Sequence, residues 1–213
     1  MKRNKKLLFS ITTLLVLVIG LEGMAYALTR WQSQPKPTIK PRSDWGAVAP
    51  KTMTKRTTGT KVIFHHTGWQ FSSTTTTNVV AEIKEVQDYH MNTKGWADIA
   101  YHYVIDPAGR IWQGRSDYYE GAHTSGQNMN VGVVVLGDFE GIWGIGANSL
   151  TTNAYNAMCS LSKYLAYRDS LDLPVAYNHK DFNPDTECPG DNMEYYVWDD
   201  LRGHLSTYLK KAN

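Results

Sequence analysis

The segment from His179 to Gly190, with the sequence HKDFNPDTECPG, holds a histidine and a cysteine nine positions apart. Its many Pro, Asn, Asp and Gly residues predict a loop, and a loop can aim an imidazole and a thiolate at one point. These are preferred ligands of zinc, which in catalytic sites takes three protein ligands and leaves a fourth position for water. His179 and Cys188 therefore need a third ligand from elsewhere in the chain.

Two further histidines end the short apolar run KVIFHH at residues 61–66. Such a run predicts a central strand that is buried on both faces. Because successive side chains of a strand point to opposite faces, His65 and His66 cannot both face one metal ion. At most one of them is expected to be a ligand, at the carboxyl end of a strand, where sites in α/β sheets usually lie.

The hydrophobic pattern predicts an α/β fold in a single domain, with a central mixed β-sheet flanked by about three α-helices. Helices are expected from about residue 78 to 90, from about 151 to 168, and after Asp191. Strands are expected at residues 61–66, 101–105, 110–113, 131–136 and 174–177.

Four local expectations accompany these elements. Trp45 is expected to plug an edge of the core, and His90 to favour the dipole at the end of the first helix. Alternation places Tyr101 on the same face of its strand as Tyr103. Asp191 and Glu194 have the spacing of a capping box for a last helix, whose inward side chains are Val197, Leu201, Leu205 and Leu209.

The amino terminus has the pattern of an export signal. Residues 1–27 contain four basic residues, an apolar run and the cleavage pattern Ala25-Tyr26-Ala27. We expect Leu28 to begin a secreted protein, with a linker over residues 28–40 and the folded domain over residues 41–213. The alternative is an uncleaved anchor, which would tie the domain to a membrane.

Charge and cysteine content exclude some classes of protein. The formal charge is +2, from 22 basic and 20 acidic residues. Without the signal's four basic residues and one glutamate, 18 basic and 19 acidic residues remain, which shows no bias towards nucleic acid. In an exported protein, two cysteines favour a disulfide. We favour free thiols, because Cys159 lies in a helical pattern and Cys188 in the loop with His179.

Six motifs along the chain resemble, in order, those of the peptidoglycan recognition protein and type 2 N-acetylmuramoyl-L-alanine amidase family. The resemblance extends from about Ile39 to Leu209. The motifs are RSDWGA (42–47), VIFHHT (62–67), QDYHMNTKGWADIAYHYVI (87–105), GRIWQGR (109–115), GAH (121–123) and HKDFNPDTECPG (179–190).

The resemblance implies a set of functional residues. His65, His179 and Cys188 would hold a zinc ion (Zn2+), and Tyr101 would be catalytic, with Thr186 as a second group beside the oxyanion. His66, Arg115 and His123 are expected to contact substrate. For Arg115 a surface salt bridge is the simpler alternative. His123 and Tyr101 are also candidates for the proton donor to the leaving amine, and for His123 a hydrogen bond to the backbone is the alternative.

The resemblance also implies an activity. The expected function is that of a secreted, cell-wall-associated amidase, which hydrolyses the amide between the lactyl group of N-acetylmuramic acid and L-alanine. Its expected partner is peptidoglycan, as muramyl peptides, and we expect a monomer. Family members that only bind peptidoglycan typically lack the cysteine, so Cys188 favours hydrolysis over the alternative, a non-catalytic recognition module.

Overall fold

The computed structural model describes residues 32–57, 59–140 and 147–207. The predicted export signal and Leu209 lie outside the described residues. Within them, the chain forms one six-stranded sheet. Its strands are β1 (Ile39–Lys40), β2 (Val62–His66), β3 (Tyr103–Ile105), β4 (Ile111–Gln113), β5 (Val131–Val135) and β6 (Ala176–Asn178).

The sheet has the order β1-β4-β3-β5-β2-β6 and is mixed, as predicted. Only β3 and β4 pair antiparallel, as a hairpin, and every other pair is parallel. β2 lies between β5 and β6, which explains why four of its five residues are buried. Because β2 and β6 run parallel, their carboxyl ends lie at the same edge of the sheet, although they are far apart in sequence.

Three helical regions cover the two faces of the sheet. Helix α1 (Thr76–Asp88) packs on one face, together with Trp45, which is fully buried as predicted. Helix α2 (Thr152–Asp169) and a C-terminal helix over residues 191–206 pack on the other face. The predicted fold class is therefore confirmed. No helix among the described residues has the length and apolar character needed to cross a membrane.

The end of α1 differs from the prediction. The chain continues into a π-helical segment, Tyr89–Thr93, and His90 lies buried within it. Its Nδ1 accepts a hydrogen bond of 3.2 Å from the backbone N–H of Ala100. Burial lowers the pKa of His90 to about 4. The side chain is therefore neutral at pH 7, and the predicted interaction of a cation with the helix dipole is wrong.

The C-terminal helix also departs from its predicted form. It consists of α3 (Asp191–Tyr195), a π-helical segment (Tyr196–Leu201) and α4 (Arg202–Ser206). The residue that caps α3 is Gly190 and no side chain caps it, so the predicted capping box of Asp191 and Glu194 is wrong. The predicted inward positions are confirmed where they are described, since three of them are fully buried: Val197, Leu201 and Leu205.

Tyr101 does not share a face with Tyr103. Strand β3 begins only at Tyr103, and just before it two successive amides, of Gly114 and Arg115, donate to the carbonyls of His102 and Tyr101. Consecutive amides that bond to one neighbouring chain interrupt strict alternation. Tyr101 consequently packs against the core on the α1 face, where its ring centroid lies 5.1 Å from that of His65.

Candidate metal centre

Three side chains suited to a metal ion meet at the carboxyl edge of the sheet. The ligand atoms of His65, His179 and Cys188 all lie within 4.8 Å of one another. The Cys188 Sγ lies 3.6 Å from the His65 Nδ1. In a tetrahedral site, zinc–sulfur and zinc–nitrogen bonds of about 2.3 and 2.1 Å place sulfur and nitrogen about 3.6 Å apart. The donor set and this spacing therefore fit zinc.

Adjacent strands and one loop deliver the three ligands. His65 lies near the end of β2, and His179 follows directly on the neighbouring strand β6. Their ring centroids lie 4.6 Å apart. The loop then returns to place Cys188, where the N–H of Lys180 donates to the Cys188 carbonyl at 3.0 Å. Both cysteines of the chain are free thiols, so the disulfide alternative is wrong.

Gly190 allows this loop to pass close to the neighbouring chain. Its φ is +91°, a conformation that favours glycine. A Cβ atom at this position would lie 2.4 Å from the Phe139 carbonyl carbon. A larger residue would push the loop, and with it Cys188, away from His65.

The second nitrogen of His65 is held inside the protein. Its Nε2 lies 3.1 Å from the His123 Nδ1, and the His123 Nε2 lies 3.2 Å from the Asn130 carbonyl oxygen. A carbonyl can only accept, so the His123 Nε2 carries a hydrogen and its Nδ1 accepts from the His65 Nε2–H. The Thr124 hydroxyl lies within 3.3 Å of both rings. These hydrogen bonds leave the lone pair of the His65 Nδ1 facing Cys188, as a metal-binding histidine requires.

Two glycines make room for the His123 ring. A Cβ atom on Gly132, in β5, would lie 2.4 Å from the His123 Cδ2, and one on Gly121 would lie 2.5 Å from the same atom. Contacts this close are not possible for real side chains. No pattern in the sequence indicates this role for Gly121 or Gly132, because only the fold brings them to His123.

Burial keeps the two candidate histidine ligands neutral. It lowers the pKa of His65 well below 6.5, as do His123, His179 and His66 nearby, and burial also lowers the pKa of His179. Burial raises the pKa of the Cys188 thiol to about 12, although the backbone N–H of His66 donates to the sulfur and lowers it. Neutral imidazoles are ready ligands, whereas the thiol must lose its proton when a metal binds.

The two predicted catalytic hydroxyls adjoin the cluster. Tyr101 lies beside His65, and burial, followed by the charge of Cys188, raises the pKa of Tyr101, so its O–H stays protonated at neutral pH. The Thr186 Oγ1 accepts a hydrogen bond of 3.2 Å from the Cys188 N–H. Both residues therefore lie next to a candidate metal ligand, and their catalytic roles stay predictions.

Of the three predicted substrate contacts, one stays a prediction and two do not fit the structure. The His66 Nδ1 accepts from the Phe139 N–H at 3.2 Å, and its contact with substrate stays a prediction. The role predicted for Arg115 does not fit, because this side chain is buried, with 4% exposed, and donates to three carbonyls. They belong to Asp98, Ile99 and Glu120. His123 is buried against His65, and so it supports a candidate ligand where a substrate contact was predicted.

Thr124 and Asn130 also belong to the surroundings of the candidate site and were not predicted from the sequence. Both complete the hydrogen-bond chain behind His65. Thr124 directly follows the GAH motif, and its position was the one available signal. Asn130 acts through its backbone carbonyl, for which side-chain patterns carry no signal.

Comparison with known proteins supports the resemblance. Peptidoglycan-recognition protein SC2 of Drosophila simulans is 29% identical over 168 residues, which cover 78% of this chain and 85% of that protein. N-acetylmuramoyl-L-alanine amidase of Homo sapiens is 31% identical over 162 residues, which cover 74% of this chain and 27% of that protein.

A solved structure and a family model support the same family relationship. Wild-type Drosophila PGRP-LB superposes with a TM-score of 0.66 at 28% identity, covering 76% of this chain and 94% of that one. The family described as N-acetylmuramoyl-L-alanine amidase, Amidase_2, matches residues 55–191, a range that includes His65, His179 and Cys188. Because this match spans more than half of the chain, the chain belongs to the N-acetylmuramoyl-L-alanine amidase family, Amidase_2.

Proposed function

We propose that this chain is a zinc-dependent amidase of peptidoglycan, which hydrolyses the amide between the lactyl group of N-acetylmuramic acid and L-alanine. One observation carries the proposal: two neutral imidazoles and one thiol lie with their ligand atoms within 4.8 Å. Three protein ligands leave zinc a position for water or substrate. The substrate class is supported by PGRP-LE, 28% identical, whose structure was solved with tracheal cytotoxin, a monomeric diaminopimelic acid-type peptidoglycan.

The residues of the chain have distinct tasks in this reaction. Zinc held by His65, His179 and Cys188 would activate water and polarise the scissile carbonyl. As the carbonyl carbon becomes tetrahedral, negative charge develops on its oxygen, and the protonated hydroxyl of Tyr101, which lies beside His65, would donate to that oxygen. The Thr186 hydroxyl, beside Cys188, is a second donor.

The test is a paired measurement on the purified protein. Zinc content per chain and the release of new L-alanine amino termini from peptidoglycan are measured for the wild type, Cys188→Ser and Cys159→Ser. Cys159 is the matched control, since it is also a buried free thiol but lies in α2. We expect one zinc ion per chain and activity for the wild type and Cys159→Ser, and the loss of both for Cys188→Ser.

The same measurement distinguishes the alternative function. Wild-type protein that binds peptidoglycan, holds zinc and releases no new amino termini would contradict the amidase proposal. That result would indicate a non-catalytic recognition module. Absence of zinc from wild-type protein supplied with the metal would contradict the proposed cofactor.

We also propose that the protein is exported and associates with the cell wall. This rests on the basic, apolar and A-x-A pattern of residues 1–27 and on the location of the proposed substrate. Cell fractionation followed by amino-terminal sequencing tests it. A chain in the medium or wall that begins at Leu28 is expected. A membrane-bound chain with an intact amino terminus would indicate an anchor, and a cytoplasmic chain would contradict export.

A further inference from the structure

We propose that Asp181 is a positioning residue, which fixes the candidate metal ligand His179 by joining its turn to the C-terminal helix. This inference rests on the zinc site of the proposed function. His179 begins a short 3-10 turn, His179–Asp181, directly after β6. A turn of three residues has little stiffness of its own, so its geometry depends on what holds it at both ends.

The carboxylate of Asp181 accepts hydrogen bonds from three residues, one at the end of β6 and two on the C-terminal helix. Its Oδ2 accepts from the backbone N–H of Asn178 at 3.0 Å and from the Arg202 Nη2 at 2.9 Å. Its Oδ1 accepts from the Trp198 Nε1 at 3.1 Å. His179 lies between Asn178 and Asp181, so the carboxylate closes the turn around the candidate ligand. The same carboxylate attaches the turn to the helix.

Arg202 is held rigidly enough to serve as an anchor. Its Nε donates to the Ala176 carbonyl at 2.7 Å, so it also holds the strand that leads to His179. Its guanidinium carbon lies 4.8 Å from the ring centroids of both Tyr177 and Trp198. A planar guanidinium that is stacked on two rings and bonded at two edges keeps one orientation, which a lysine ammonium cannot reproduce.

The helix that carries Trp198 and Arg202 is itself firmly placed. Val197 and Leu201, each one position before these two residues, are fully buried in the core. The two anchoring side chains therefore lie next to the buried face of the helix. Through their hydrogen bonds to Asp181, the position of the helix fixes the position of the turn.

A second contact between the same helix and the turn is weaker. Lys180 pairs with Glu194 at 2.9 Å, but the two side chains are 25% and 28% exposed. Ion pairs that are partly open to solvent in this way typically contribute little to stability. The Asp181 side chain is only 12% exposed and has three donors, so it is the dominant link.

The expected effect is on metal affinity. Metal sites lose about 10–100-fold in affinity when a residue that orients a ligand is replaced. Asp181→Asn keeps the size of the side chain but removes the charge that pairs with Arg202, and one of its two oxygens becomes an N–H₂ donor. In either orientation of the amide, one side loses its acceptor: Trp198, or Asn178 and Arg202. We expect this variant to bind zinc about 10–100-fold more weakly than the wild type.

Asp117→Asn is the matched control. Asp117 also accepts from an aromatic residue and an arginine, the Tyr103 hydroxyl and Arg168, and links its loop to α2. For each purified protein, zinc affinity is measured by competition with a chelator, and the free energy of unfolding is measured without metal. The cobalt(II) absorption spectrum reports whether the metal keeps its ligand geometry. We expect Asp117→Asn to lose stability while its zinc affinity stays within about twofold of the wild type.

The outcomes separate this inference from the proposed function. Zinc affinity of Asp181→Asn equal to that of the wild type would overturn the positioning role, as would equal weakening in both variants. Wild-type protein without zinc binding would overturn the inference together with the proposed cofactor. Wild-type protein that binds zinc without hydrolysing peptidoglycan would contradict the amidase alone, since the readout here is metal affinity.

Discussion

Replacing His123 by phenylalanine tests the hydrogen-bond chain behind His65. The substitution keeps a ring in the space between Gly121 and Gly132 but removes both nitrogens. The His65 Nε2–H then loses its acceptor at 3.1 Å, and the Thr124 hydroxyl at 3.3 Å is the remaining partner. We expect the free energy of zinc binding to weaken by more than the free energy of unfolding falls.

The size of the effect follows from the partners of His65. A buried donor without an acceptor costs about 1–3 kcal/mol, and the longer bond to Thr124 offsets part of this, which leaves about 1–2 kcal/mol. Without metal, His65 avoids the cost by carrying its hydrogen on Nδ1. A metal on Nδ1 forces the hydrogen back to Nε2, so the cost falls on the bound state. The affinity should drop by about 5–30-fold.

Chelator competition measures zinc affinity, and circular dichroism confirms that each variant is folded. His102→Phe is the control: His102 is also buried, and its ring nitrogens contact the Gly132 N–H and the Tyr119 carbonyl. This variant should lose stability and keep its zinc affinity, because neither ring nitrogen of His102 bonds to His65 or His123. Folded His123→Phe with wild-type zinc affinity would refute the role assigned to His123.

Three further predictions concern other residues. Tyr101→Phe should keep its zinc and lower kcat for release of amino termini by about 10²–10³-fold, and an unchanged kcat would exclude oxyanion stabilisation by Tyr101. Arg115→Lys should lower the free energy of unfolding by about 1–3 kcal/mol in urea and leave KM unchanged, whereas a raised KM at full stability would restore the substrate role. Burial alone would raise the pKa of Asp117, but the Tyr103 hydrogen bond and Arg168 together lower it below 3.8. Because its pKa is lowered in the folded state, the Asp117 carboxylate stabilises the fold at pH values above 3.8, and this stabilisation is lost as pH falls through the folded-state pKa. Urea unfolding at pH 7 and pH 3 should therefore show that the free energy of unfolding falls less with acid for Asp117→Asn than for the wild type.

The local patterns of the sequence determined much of the fold. The apolar run before His65 predicted a strand buried on both faces, and the structure places it between two parallel neighbours. The hydrophobic pattern predicted a helix from about residue 78, and α1 begins at Thr76, where the Thr75 hydroxyl accepts from the Asn78 N–H. Such signals are read correctly because they depend on side chains only a few positions apart.

The residue types of the candidate metal site were also available from the sequence. His179 and Cys188 share one loop, and alternation along β2 allowed only one of the two adjacent histidines to join them. The motif resemblance selected His65, and the structure brings its ligand atom within 4.8 Å of the other two.

Tertiary structure alone decided how the surroundings of the site are arranged. Nothing local to His123 indicated that its ring would lie between Gly121 and Gly132 and accept from His65. A substrate contact was predicted for Arg115, with a surface salt bridge as the alternative, yet this side chain is buried and donates to three backbone carbonyls. These outcomes depend on the order and register of strands that are distant in the chain. Side-chain periodicity reports which face of an element is buried, but it does not report which residues of other elements lie opposite that face.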